Sequence, residues 1–135
     1  MRPMPDTSLP SCPCGSHQPY SRCCGLYHQG AQRLQAPTAE HLMRSRYTAF
    51  VLDDLAYLTD TWHPSTRPAA LEPNAPGTRW LGLDIRTHRQ HDAENATVEF
   101  VARVRHNGKA TRLHETSRFV KENGQWLYLD GQFSN

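Results

Sequence analysis

Lysine is almost missing from this chain. Of its 15 basic residues only Lys109 and Lys121 are lysine, and the other 13 are arginine. The formal net charge is +2 over 135 residues, so no overall polyanion-binding signature is present. No apolar run approaches the ~20 residues of a membrane span, and a membrane role is not expected. There is no internal repeat, P-loop or dinucleotide fingerprint. Met1 to Pro10 holds no apolar stretch, so the residues give no sign of a secretory signal and a reducing, cytoplasmic location is expected. Cysteine is confined to one place: the 4 cysteines of the chain are Cys12, Cys14, Cys23 and Cys24.

Clustered cysteines form disulfides or bind metal, and disulfides belong to oxidising compartments. Adjacent cysteines such as Cys23 and Cys24 are strained partners for one another, although a crossed pair of disulfides is the competing outcome. Four sulfurs in tetrahedral array suit zinc, with Zn–S near ~2.3 Å. Gly15 and Gly25 follow the two cysteine pairs, where a positive φ is expected to turn backbone N–H groups towards sulfur. His17 and His28 are the substitute ligands if one cysteine is spared. A catalytic zinc keeps an open position and three protein ligands. Four thiolates fill the shell and make the metal a poor Lewis acid, so a structural zinc is expected.

The remainder reads as one α+β domain. Pro37 and Thr38 open a helix carrying Leu42, Met43, Tyr47, Phe50 and Val51, with Arg46 on the same apolar stripe. Asp53 or Asp54 caps a second helix bearing Leu55, Leu58 and Trp62, which ends at His63-Pro64. The stretch from Ser65 to Thr78 holds Pro68, Pro73, Pro76 and Gly77 and reads as a long loop or a broken third helix. Alternation then marks four antiparallel strands. Leu81, Leu83 and Ile85 point inward on the first, and Val98, Phe100, Ala102 and Val104 on the second. Leu113, Glu115, Ser117 and Phe119 do so on the third, and the last runs from Trp126 to Asp130. Asn107-Gly108 and Asn123-Gly124 are hairpin turns.

Two sets of residues carry candidate chemistry. Glu115 and Arg46 each interrupt an apolar stripe and can meet between helix and sheet. They form either a polar cavity for an anionic or hydroxylated ligand, with Glu115 as a possible acid/base, or a buried ion pair that closes the interior. Tyr47, Trp62, Trp80, Trp126 and Tyr128 line such a pocket or belong to the core. Asp130 is a second candidate acid, or a turn residue beside Gly131. The outer face of the sheet carries Arg86, His88, Glu99, Arg103, Arg105, Arg112, His114 and Arg118. Its arginines are candidates for binding RNA or DNA phosphates, although a solvated charged face is the ordinary alternative.

The run Cys12-Pro-Cys14-Gly15-Ser16, Tyr20, Cys23-Cys24-Gly25 resembles the SEC-C motif, a small zinc-binding module. That resemblance implies Cys12, Cys14, Cys23 and Cys24 as zinc ligands, and contacts with a protein partner or the ribosome. From Pro37 onward, Pro37-Thr38-Ala39-Glu40, Leu42 to Tyr47, Ala49-Phe50, Thr61-Trp62-His63, Val98 to Arg103, His114-Glu115, Ser117-Arg118-Phe119 and Asp130-Gly131 resemble the YchJ family. The implied fold is a curved four-stranded antiparallel sheet with helices on its concave face, similar to nuclear transport factor 2 and the cystatins, after an amino-terminal zinc knuckle. The expected division is a disordered tail at 1–9, the knuckle at 10–30 and the α+β domain at 31–135. Some family members carry a second SEC-C module after the domain. None is read here before Asn135, so functions needing two are not expected. The leading expectation is a non-enzymatic zinc-binding adaptor. The alternatives are a small-molecule-binding protein or enzyme built on the concave pocket, and a nucleic-acid-binding arginine face.

Overall fold

A computed structural model describes residues 11–134. The expected tail at 1–9 lies outside them. A single 3-10 turn, Tyr20–Arg22, and the short helix α1, Gly25–His28, form the cysteine-bearing knuckle. Helices α2, Ala39–Leu52, and α3, Leu55–Asp60, follow. Strands β1, Thr78–Gln90, β2, Asn95–His106, β3, Lys109–Glu122, and β4, Gln125–Phe133, then pair in the order β1-β2-β3-β4, every neighbour antiparallel.

The sequence explains where these elements start and stop. Thr38 accepts the His41 N–H at 3.1 Å and caps α2, an interaction worth about 1 kcal/mol. Asp53 leaves α2 in the left-handed conformation, and Asp54, one step later, caps α3 by accepting from Tyr57 N–H at 3.1 Å. Asn107-Gly108 and Asn123-Gly124 each place two consecutive residues at positive φ. This is the turn whose twist matches a tight hairpin. Residues 64–77 form an irregular loop with no third helix. Asn74 pins it to the end of α2 through Phe50 O at 2.6 Å and Asp53 Oδ1 at 2.8 Å.

The sheet curves round α2, and the core lies between them. Ala96, Val98, Phe100 and Ala102 of β2 and Phe119 of β3 are buried there with Leu42, Met43 and Tyr47. Beyond α3 the chain returns to the edge of β4, where Trp62 and Tyr128 form a parallel bridge. Two irregularities in β1 change the expected faces. The register shifts between Trp80 and Gly82, and again between Ile85 and Thr87. Each bulge reverses the alternation. Trp80 therefore faces inward opposite Val104, while Leu81, expected inside, is 40% exposed. His88, expected outside, pairs with inward-facing Val98 and approaches Glu40 of α2 at 3.9 Å.

Candidate metal centre and ligand cavity

One ligand atom from each of Cys12, Cys14, Cys23 and Cys24 lies within 4.8 Å of all the others. None of the four is in a disulfide, and three are buried. Cys14 Sγ and Cys23 Sγ are 3.6 Å apart, far too distant for a disulfide. A tetrahedron with metal–sulfur bonds of ~2.3 Å has edges of about 3.8 Å, which this separation fits.

Charge supports the same conclusion. Contact with Cys12 and Cys24 drives the Cys14 thiol far below its ordinary pKa, while hydrogen bonding to Cys12 and Cys14 drives Cys24 far above it. Burial lifts Cys23 to about 11. Four sulfurs this close cannot all be thiolates unless a cation neutralises them. The cluster is a closed, four-sulfur site able to hold a metal ion.

The domain supplies its supporting shell. Thr48 of α2 donates to Cys24 Sγ at 3.3 Å and touches Cys12 Sγ at 3.6 Å. Ser16 Oγ lies 3.1 Å from Cys23 Sγ, and Arg44 donates to Cys14 O at 2.9 Å. Thr48, Ser16 and Arg44 orient the ligands and their loop.

The histidines are not part of the cluster. His28 Nε2 lies 2.7 Å from Ser45 O, which can only accept, so Nε2 carries the proton. Nδ1 then accepts from Tyr20 O–H at 2.7 Å. Both nitrogens are committed, and burial holds the ring neutral by lowering its pKa. His17 is exposed. Gly15 has the expected positive φ, but Gly25 does not. Gly25 is needed for space, because a Cβ there would lie 2.7 Å from Tyr20 O.

On the other side of α2, a cavity of about 290 Å³ opens between the helix and the sheet. Its lining includes Arg46, Trp62, Glu115 and Tyr128. Arg46 is 3% exposed. Its guanidinium lies 4.6 Å from the ring centre of Tyr128 and 5.0 Å from that of Trp62. Both of its hydrogen bonds run through Nη1, to Leu58 O at 3.0 Å and Thr61 Oγ1 at 2.7 Å. Nε and Nη2 make no hydrogen bond among the described residues. Burial lowers its pKa to about 10, which leaves it cationic at neutral pH.

Glu115 is 8% exposed and is held by Ser117 Oγ and by Tyr128 O–H at 3.4 Å. Burial, then the nearby Glu115 charge, raises the Tyr128 phenol to about 12. Gly131 makes room for this carboxylate: a Cβ there would lie 2.5 Å from Glu115 Cδ and 2.9 Å from Cγ. The expected Arg46–Glu115 ion pair does not form. No contact within 4.0 Å joins them, and the space between is the cavity rather than a closed bridge.

Several candidates lie elsewhere. Tyr47 and Trp80 stack edge to face at 5.7 Å, and Trp80 donates to Asn74 at 3.2 Å, away from the cavity lining. Trp126 is core. Asp130 sits on the outer face in a two-pronged pair with Arg118, at 2.6 and 2.5 Å, which holds its carboxyl below its ordinary pKa. It is not a free acid. Sequence reasoning missed Met43, Phe50, Phe100, Ser117 and Phe133 as lining. Ser117 carried a signal, since it follows Glu115 in the same inward phase.

The outer arginines divide into two groups. Arg86 pairs with Asp84 at 3.2 Å and Arg118 with Asp130, so each has an acidic partner. Glu99 pairs with His114 at 2.7 Å. Arg103, Arg105 and Arg112 are exposed and have no acidic partner among the described residues.

Residues 38–131 match a family model described as the middle, NTF2-like domain of YchJ. A UPF0225 protein of Bordetella parapertussis is 61% identical over 127 residues, covering 94% of this chain and 96% of that protein. A UPF0225 protein of Ralstonia nicotianae is 54% identical, covering 92% of each. The solution structure of a SEC-C motif containing protein from Rhodopseudomonas palustris superposes with a TM-score of 0.80 at 31% identity, covering 93% of this chain and 100% of that one. A crystal structure of another, from Psychrobacter arcticus, gives 0.76 at 33%, covering 95% and 85%.

Proposed function

This chain belongs to the YchJ family, and on that premise we propose that it is a cytoplasmic, zinc-stabilised binding protein for a small anionic ligand. The zinc is structural. Its four cysteine ligands leave no open position for substrate. The concave cavity is the working site.

One observation carries this reading. Arg46 is a buried cation whose Nε and Nη2 make no hydrogen bond among the described residues, in a cavity it shares with Glu115. Buried charges are normally paired, and on the same lining the Trp62 indole Nε1 is buried without a partner among the described residues. An acceptor group such as a carboxylate satisfies Arg46 and Trp62. A hydroxyl or amino group on the same molecule donates to Glu115. Phe50, Phe100 and Met43 supply an apolar wall. A volume of about 290 Å³ is at the small end of ligand sites and holds on the order of ten non-hydrogen atoms.

The test uses the Trp62 indole N–H as its own reporter. A panel of small hydroxy acids and amino acids is titrated into isotopically labelled, zinc-loaded protein. A member of that class is expected to shift the Trp62 indole resonance, and Glu115→Gln to weaken its binding at least tenfold. If no member moves that resonance and no small molecule co-purifies with the native protein, the reading is wrong.

The adaptor role is the second reading. Its support is a shallow groove on the knuckle lined by Ser21, Leu26, Gln29 and Gln32, on which a protein or ribosomal segment can lie.

A further inference from the structure

The charge of this protein is segregated. Residues 73–83 and 100–114 contain no aspartate or glutamate, yet hold Arg79, Arg103, Arg105, Lys109 and Arg112. That is five cations in a chain whose net charge is +2. The fold brings these segments together at the end of the sheet formed by the start of β1 and the β2–β3 hairpin. Arg79 is the direct cross-strand partner of Arg105, and Arg103 that of Arg112. Arg103 and Arg105 are two apart on β2, so all four share one face. It is the outer one, since the intervening Val104 pairs with inward Trp80. All four are exposed, and none has an acidic partner within 4.0 Å among the described residues.

Like charges placed directly opposite destabilise a sheet. Two such pairs side by side therefore work against folding and call for an external counter-charge. The contrast within the same face is informative: Arg86 and Arg118 are each neutralised by an aspartate, while the quartet is not. Arginine rather than lysine suits phosphate oxygens, which its planar fork can grip in pairs. Next to Arg103 the strand carries Gly82, where a Cβ would meet nothing within 4 Å, so the strand raises no side chain at that position. The face has no aromatic platform for unstacked bases, which single-strand binders use. A double helix keeps its bases inside and offers continuous phosphate.

We infer that Arg79, Arg103, Arg105 and Arg112 form a docking surface for the phosphate backbone of a nucleic-acid duplex, independent of the concave cavity. The contact is sequence-neutral, and its affinity depends on salt through counterion release.

Fluorescence anisotropy with full-length, zinc-loaded protein and 20-base-pair RNA and DNA duplexes tests this. Four neutralised phosphates predict a slope of log K against log salt of about −3.6, or a loss of roughly 150-fold between 50 and 200 mM salt. Arg103→Gln with Arg112→Gln is expected to reduce the slope by about two units and keep the fold, checked by circular dichroism, because it removes a like-charge pair. Arg86→Gln with Arg118→Gln is expected to leave the slope unchanged. Failure of both duplexes to bind at 50 mM salt would overturn the inference. So would a slope indifferent to the Arg103/Arg112 change, tighter binding of single strands, or capture by phosphatidylglycerol vesicles in place of duplexes.

Discussion

Replacing Gly131 with alanine tests how the Glu115 carboxylate of the cavity lining is seated. The backbone of Gly131 does not use a positive φ, so alanine is not strained by its own conformation. The obstacle is the Glu115 side chain, whose Cδ and Cγ would lie 2.5 and 2.9 Å from the new methyl. Neither distance is tolerable, so either the backbone shifts or the Glu115 side chain is pushed towards the cavity. Overpacking of this kind costs about 1–3 kcal/mol. If Glu115 moves instead, it gives up Ser117 and Tyr128, and hydrogen bonds to a charged group are each worth about 1.5–3 kcal/mol. Gly131→Ala is therefore expected to destabilise by about 2–3 kcal/mol. Glu115→Ala removes the obstacle, so in that background Gly131→Ala should cost under about 0.5 kcal/mol. Urea unfolding of the four proteins, fitted with a common m-value, gives the coupling directly. Additivity of the two changes would refute the claim that Gly131 exists to seat the Glu115 carboxylate.

Two further predictions concern the other face of α2. Purified protein is expected to hold one zinc, and Thr48→Val, which removes the donor to Cys24 Sγ, to weaken metal affinity by about 10–100-fold; a competing chromophoric chelator measures this, and unchanged affinity would remove Thr48 from the supporting shell. His28 is held neutral, its pKa lowered first by burial. The unfolded chain then binds a proton that the folded chain refuses, so stability falls as pH drops below the unfolded value of about 6.5. With zinc saturating and its retention monitored, His28→Gln should flatten the profile between pH 7 and 5, and an unaltered profile would show that another group titrates there.

The legible parts of this fold were those with local causes. Asn107-Gly108 and Asn123-Gly124 declared two hairpins because their turn demands positive φ at both positions. The phase of Val98, Phe100 and Ala102 declared the buried face, and Glu115 stood out as a carboxylate in the inward phase of Leu113 and Phe119. The illegible parts depended on register. A bulge at Leu81 and another at Arg86 move Leu81 outward and His88 inward, and no residue type in β1 announces them. Arg118 meets Asp130 only through the β3–β4 pairing, so the sequence alone does not show that arginines of the basic and polar outer face are paired with aspartate. Arg46 was found, but its environment was not. Its companions are ring faces and a backbone carbonyl rather than a carboxylate.

Helix α2 explains why one short sequence carries two sites. Ser45 and Thr48 reach the knuckle through His28 and the cysteine sulfurs, while Met43, Arg46 and Phe50 line the cavity. At about 100° per residue, Ser45 and Thr48 point nearly opposite to Met43, Arg46 and Phe50. The middle of α2 is thus enclosed on both sides, which is why the polar Ser45 and Thr48 are buried alongside its apolar residues. A helix lying only on a sheet would show Thr48 to water. Here Thr48 is fully buried, because the cysteine knuckle covers it. A metal ion held by the four cysteines would act on the cavity through this helix: by clamping the knuckle against Ser45 and Thr48, it would fix the roof from which Arg46 is suspended.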